Sequence, residues 1–160
     1  MIEFRTELIS GDTKKIAEVL ESTGFFYSFE IKIATDIADI TIEKGSKNSG
    51  YNFIIACENG RMTGFCCYGF NPCTQSSYDL YWIAVHQNYK NQGLGKQLIK
   101  LVEQSVLEMG GTIIWVETSG RALYEPTRAF YSAIGYEKVA VLPDYYAIGD
   151  DKIIYRKQLK

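Results

Sequence analysis

Lys90-Asn91-Gln92-Gly93-Leu94-Gly95-Lys96 joins two segments of different period. Before it, Leu80-Tyr81-Trp82-Ile83-Ala84-Val85 is a near-continuous apolar run, as a strand buried on both faces would be. After it, Leu94, Leu98, Leu101, Val102 and Met109 form one stripe of a helix over 93–109, with Lys96, Lys100, Glu103 and Glu108 mostly off that stripe. The order is strand, glycine loop, helix. Glycine lets backbone approach a ligand closely, and the first N–H groups of a helix have no internal acceptor. Those donors lie at the positive end of the helix dipole, so the stretch is a candidate anion site suited to a diphosphate. No Gly-Lys-Ser/Thr closes it, so it is not a Walker A loop. Leu98 stands where a dinucleotide fingerprint needs its third glycine. A tight strand-to-helix connection without a ligand is the plainer alternative.

A second segment changes that balance. In Thr127-Arg128-Ala129-Phe130-Tyr131-Ser132-Ala133-Ile134-Gly135-Tyr136, Thr127 can cap a short helix and Gly135 fits its left-handed end. Phe130, Tyr131 and Ile134 would by themselves pass for a core face. Together and in this order, the two segments resemble motifs A and B of the GCN5-related N-acetyltransferases, the GNAT superfamily. Motif A there is Gln/Arg-x-x-Gly-x-Gly/Ala, and this chain departs at its first position with Lys90. Lysine keeps a cation but not the planar fork of arginine. The resemblance runs from about Tyr51 to the C-terminus; the first fifty residues match only in layout.

The resemblance implies an α/β fold, a single acyl-CoA N-acyltransferase domain over 1–160. Its sheet would be mixed and mostly antiparallel, with flanking helices. Two central parallel strands, 78–85 and 112–118, would splay to leave a cleft. It implies direct transfer of an acetyl group from acetyl-CoA to a primary amine of a small molecule: an amino acid, a polyamine or a drug. Acetylation of a protein N-terminus or lysine, and a non-catalytic acyl-CoA-binding regulatory module, are the alternatives. Main-chain groups of Ile83 and Val85, with Ala84 between them, would pair with the pantetheine arm. The amides of Asn91, Gln92, Gly93, Leu94, Gly95 and Lys96 would face the diphosphate, with charge from Lys90 and Lys96.

For the proton chemistry the same resemblance implies Tyr131 as general acid, since a phenol is protonated at neutral pH and can donate to a departing thiolate. Two family branches place a carboxylate base where this chain has Glu117 or Asp79. Glu117 is preferred, because a charge in Ile113-Ile114-Trp115-Val116-Glu117 is otherwise costly. Either could instead be an exposed strand-end acid. Tyr124 stands where many relatives carry asparagine. Tyr145, Tyr146 and the charged turn Asp150-Asp151-Lys152 fall in a region that often borders the acceptor. Arg121 and Arg128 are candidate partners for a carboxylate on the acceptor.

Composition bounds these readings. The 160 residues are 46% hydrophobic and 22% charged, enough apolar content for one real core. A formal net charge of −2 disfavours a nucleic-acid binder. No apolar run approaches the ~20 residues of a membrane helix, and Met1-Ile2-Glu3-Phe4-Arg5 does not resemble a signal peptide, so a cytoplasmic protein is expected. Cys57, Cys66, Cys67 and Cys73 form no Cys-x-x-Cys pair and His86 stands alone, so no metal is expected. His86 is expected to stabilise its loop. Exposed tyrosines would suit a homodimer.

The remaining elements follow from period and punctuation. Strands are expected at 2–7, 51–57, 61–69, 78–85, 112–118, 136–142 and 152–159. Helices are expected to about Glu21 after caps at Ser10, Asp12 or Thr13, over 29–44, over 93–109 and over 127–134. Residues 45–50 and 71–77 read as loops, and Asn59-Gly60 as a hairpin turn.

Overall fold

In the computed structural model, which describes residues 1–159, the chain order is β1 (Glu3–Arg5), α1 (Asp12–Thr23), α2 (Ser28–Ser49), β2 (Asn52–Glu58), β3 (Arg61–Phe70), β4 (Ser77–Val85), α3 (Leu94–Glu108), β5 (Ile113–Ser119), α4 (Glu125–Ala133), β6 (Glu137–Ala147) and β7 (Asp150–Gln158). The strands form one mixed sheet in the order β1-β2-β3-β4-β5-β7-β6, flanked by helices. The expected mixed α/β architecture is therefore present. The residues group into two compact units, Met1–Gly69 with Trp82–Ser105, and Phe70–Tyr81 with Val106 onward. β4 and α3 each contribute to both. No helix among the described residues is long and apolar enough to cross a membrane.

In the first unit the hairpin forms as its sequence requires. Asn59 and Gly60 both take positive φ, 50° and 76°, and Glu58 pairs with Arg61. Further along, Ala56 pairs with Gly64 but Cys57 with Met62, so Thr63 is an extra residue that bulges β3. One face of this sheet buries Phe53, Ile55, Phe65 and Cys67 against Ile16, Val19 and Leu20 of α1 and Ala34 and Ala38 of α2. On α3's side of β3, a methyl at Gly64 would come 2.9 Å from the Ala84 carbonyl and 3.3 Å from Leu98, so glycine permits the close approach. The Tyr68 hydroxyl bonds Ser105 Oγ at 2.7 Å.

The α1 start corrects the capping expectation. No side chain caps α1; Gly11 precedes it at φ 91°. Asp12 is wholly buried, accepts from the Ile9 N–H at 2.9 Å and pairs with Arg5 at 2.7 Å. Its hydrogen bond holds the Arg5 guanidinium above its ordinary range against the opposing effect of burial. Thr13 bonds Asp39 of α2. These candidate caps tie α1 to β1 and α2 instead. Helical structure also continues to Ser49 through the expected loop, with a break at Gly45 (φ 77°).

In the second unit, β4 and β5 run parallel, with Ser77–Leu80 in register with Ile113–Val116. β5 pairs antiparallel with β7 from Ile113–Gln158 to Ser119–Lys152. Alternation then sorts the side chains. Asp79, Trp115, Glu117, Ser119 and Lys152 share one face; Tyr78, Leu80, Ile114, Val116 and Tyr155 share the other. A side chain at Gly111 would overlap Val106 and the Tyr78 ring. β6 outruns its expected end at 142. Leu142 pairs with Lys152 and Ala147 with Asp150, so residues 143–146 stand opposite Asp151 alone and loop outward. Asp144 sits there at φ 54°; its N–H donates to Asp151 Oδ1 at 2.9 Å, and its Oδ1 accepts from the Gly149 N–H at 2.6 Å.

Candidate active site

The glycine loop belongs to the first unit. β4 ends at Val85, and the His86 N–H donates to the Thr63 carbonyl at 2.8 Å. His86 Nδ1 accepts from the Asn88 N–H at 3.2 Å and caps a 3-10 turn over Gln87–Tyr89. The histidine thus stabilises its loop. Lys90 is extended, with Nζ 4.8 Å from the Phe25 ring centroid. Asn91 and Gly93 both turn left-handed, at φ 61° and 79°. A β-carbon at Gly93 would meet no protein atom within 4 Å, so the backbone is open on that side.

α3 starts at Leu94, which is buried and anchors the turn. Its first internal bond runs from the Gln97 N–H to the Gly93 carbonyl at 3.1 Å. The amides of Leu94, Gly95 and Lys96 precede that bond and have no acceptor within the helix. Open space, two left-handed turns, helix-terminal amides and two lysines at the loop's ends are the chemistry a diphosphate needs. Of the strand positions beside it, Ala84 is buried, while Ile83 and Val85 are partly exposed.

The proton-handling candidates belong to the second unit. α4 begins at Glu125, with Tyr124 in the cap position and Pro126 in the first turn, which corrects the expected start at Thr127. Proline suits a first turn, where its missing N–H costs nothing. Tyr131 is 3% exposed and packed among the rings of Phe130, Tyr136 and Tyr155 at 5.4, 5.7 and 5.8 Å. Gly135 takes φ 91° after the helix, as expected.

Glu117 and Asp79 lie on the sheet face opposite Tyr155. Burial pushes the Asp79 carboxyl up, a hydrogen bond from Asn71 pulls it down, and the charge of Glu117 adds to the rise; the net direction is upward. That direction favours a base working nearer neutral pH. Glu117 is 56% exposed at its side chain, and its Oε2 accepts from Lys152 Nζ at 2.8 Å. Lys152 is buried, with its ammonium 3.5 Å from the Tyr145 ring centroid and 5.7 Å from that of Tyr146. Burial pushes the Tyr146 hydroxyl up to about 12, against the opposing charge of Lys152.

The arginines do not stand open to an acceptor. Arg121 pairs with Asp150 at 3.2 Å, and Asp150 also accepts from Ser119 Oγ. Arg128 Nη1 donates to the carbonyls of Ser119 and Arg121, both at 2.8 Å. Both hold the turn after β5. The sequence reading placed Lys152 in a charged turn at the start of the last strand and gave it no role. Its alternation with Ile153 and Tyr155 was the available signal that it faces the same way as Ser119 and Glu117.

The Acetyltransferase (GNAT) family model matches residues 16–136. A crystal structure of a protein from Desulfovibrio desulfuricans assigned to that family is 41% identical, covers all of both chains and superposes with a TM-score of 0.97. The [ribosomal protein bS18]-alanine N-acetyltransferase of Escherichia coli K12 is 29% identical over 95 residues, which are 59% of this chain and 61% of that one. The chain thus matches about three-fifths of that curated relative's length. An aminoglycoside 6'-N-acetyltransferase crystallised with coenzyme A is 17% identical, with 99% of this chain and 96% of that one covered and a TM-score of 0.74, a likeness of fold. With the glycine loop, the tyrosine helix and the strand order all falling inside these matches, the chain belongs to the GNAT family of acetyltransferases.

Proposed function

We propose that the protein transfers an acetyl group from acetyl-CoA to a primary amine of a small molecule such as an amino acid, a polyamine or a drug-like amine, in the cytoplasm. The observation that carries this reading is the open, left-handed loop at the start of α3, in a member of this family. Acetyl-CoA supplies the acyl group as a thioester. The amides of residues 91–96, with Lys90 and Lys96, hold its diphosphate; main-chain groups of Ile83, Ala84 and Val85 hold its pantetheine arm. Glu117, with Asp79 as the alternative, accepts the proton that the ammonium must lose. Tyr131 Oη gives a proton to the sulfur as it leaves.

A second acceptor class has its own support. The E. coli relative is named for a protein N-terminal alanine, and it shares 29% identity over the matched segment. An α-amine of a polypeptide is therefore the competing substrate, and a homodimer the competing assembly to a monomer. Calorimetry with acetyl-CoA tests the cofactor site: Gly93→Val strains a φ of 79° and fills the open side of the loop, so binding should be lost. Retained affinity in a folded variant refutes the loop assignment. Thiol release across free amines and an alanine-initiated peptide then decides the acceptor. Turnover on the peptide alone overturns the small-molecule reading, and binding without turnover on either favours a non-catalytic module.

A further inference from the structure

A buried ammonium is costly unless its charge is matched by close, well-directed partners. Lys152 has two. Its Nζ donates to Glu117 Oε2 at 2.8 Å, and the face of Tyr145 lies 3.5 Å away. The ring reaches it because residues 143–146 loop out of β6 opposite Asp151. Two hydrogen bonds fix that excursion, from the Asp144 N–H to Asp151 and from the Gly149 N–H to Asp144. The ammonium is therefore a fixed point, whereas the Glu117 side chain is 56% exposed and has little packing to set its torsions. Among the described residues its one recorded ion pair is to Lys152, through Oε2, which leaves Oε1 for another partner.

We infer that Lys152 is the positioning residue for Glu117: anchored under Tyr145, it fixes the carboxylate's direction. This rests on the reading of Glu117 as proton acceptor. The charged and titratable groups around that carboxylate are Lys152 from β7, with the Tyr145 ring over its ammonium, Asp79 from β4 and Tyr146 from β6; Arg156 shares the face on β7 and pairs with Glu137. Tyr146 stays neutral through the working range. Lys152 is the cation that touches the carboxylate. Without it, the ion pair that a proton on Glu117 would break is gone, and the direction of the carboxylate is no longer set.

The test uses the full chain and the best amine from the acceptor panel. Lys152→Met replaces a buried ammonium with an apolar side chain of similar length; Lys152→Arg keeps the charge. The acidic limb of kcat/KM should move up by about one pH unit in K152M, with acetyl-CoA affinity unchanged, and should return toward wild type in K152R. Carbon-13 NMR of the Glu117 carboxyl gives the same titration without turnover. Tyr145→Leu, which leaves the lysine in place, should give a smaller shift in the same direction and serves if K152M melts too low to assay. An unmoved limb and an unmoved carboxyl signal in these variants overturn the inference. Glu117→Gln separates it from its premise: loss of the acidic limb supports Glu117 as base, so an unmoved K152M then sinks the positioning role alone. A wild-type limb in E117Q sinks the base assignment and the inference with it.

Discussion

A phenol enclosed by three aromatic rings differs from one in water, and Tyr131 is such a phenol. Its ring is core, so only the hydroxyl distinguishes catalysis from packing. Tyr131→Phe keeps the ring contacts and deletes that hydroxyl. General-acid catalysis predicts a fall in kcat of ~10²-fold with acetyl-CoA affinity nearly unchanged; equal kcat would return Tyr131 to the core. Asp79 makes a stability prediction. Its carboxyl is raised in the folded state, so its favourable contribution exists below the unfolded value and is lost as pH rises through the folded one. Asp79→Asn should therefore melt higher than wild type at pH 7, and the gain should shrink toward zero below about pH 4. Tyr131, Glu117 and Asp79 could be singled out as candidates because each sits at a fixed distance from a local landmark, a glycine or a strand end. Lys152 was not, because the carboxylate and the ring that define it come from β5 and β6. Arg121 and Arg128 misled for the same reason: their partners, Asp150 and main-chain carbonyls, are revealed only by folding.

At the level of elements, local signals succeeded where the cause was local. Asn59-Gly60 makes its turn because both residues accept positive φ. The caps of α1 failed because Asp12 satisfies Arg5, a partner on β1. The expected end of β6 at 142 coincides with Pro143-Asp144, a pair of turn composition. Pairing resumes after it at Ala147–Asp150, and β7 holds β6 on both sides. That β6–β7 pair carries an alkaline liability. Burial lowers the Lys152 ammonium, but its hydrogen bond to Glu117 and the contribution of Tyr145 outweigh that and raise it overall; burial raises Tyr146 to about 12. Both folded values lie above their unfolded ones. The stability they contribute is therefore complete below about pH 10 and lost as pH climbs toward about 12. Thermal melts should be flat up to the first value and fall steeply between the two. In K152M and Tyr146→Phe that fall should be shallower. A wild-type slope in both variants would place the alkaline transition elsewhere.

For the whole molecule, the proposed division of labour follows the grouping of the residues. The loop that suits a diphosphate, with Ile83, Ala84 and Val85 before it, belongs to one compact unit; Asp79, Glu117, Tyr131 and Lys152 belong to the other. The succession of strands and helices along the chain and the placement of the glycine loop were legible in the alternation of period; the insertion of β7 between β5 and β6 was not. The grouping into units was not, because it cuts β3, β4 and α3, three segments whose patterns are continuous. The consequence is a separation that can be measured. On the proposed reading the loop amides bind through main chain turned by Asn91 and Gly93, at φ 61° and 79°. The double variant E117Q/Y131F should then bind acetyl-CoA with the wild-type Kd by calorimetry while turnover falls by at least the larger of the two single effects. Gly93→Val should do the reverse, losing affinity while the Glu117 carboxyl still titrates as in wild type. If E117Q/Y131F weakens binding as much as Gly93→Val does, the acid and base residues are part of the cofactor's own grip, and the assignment of separate tasks to the two units fails.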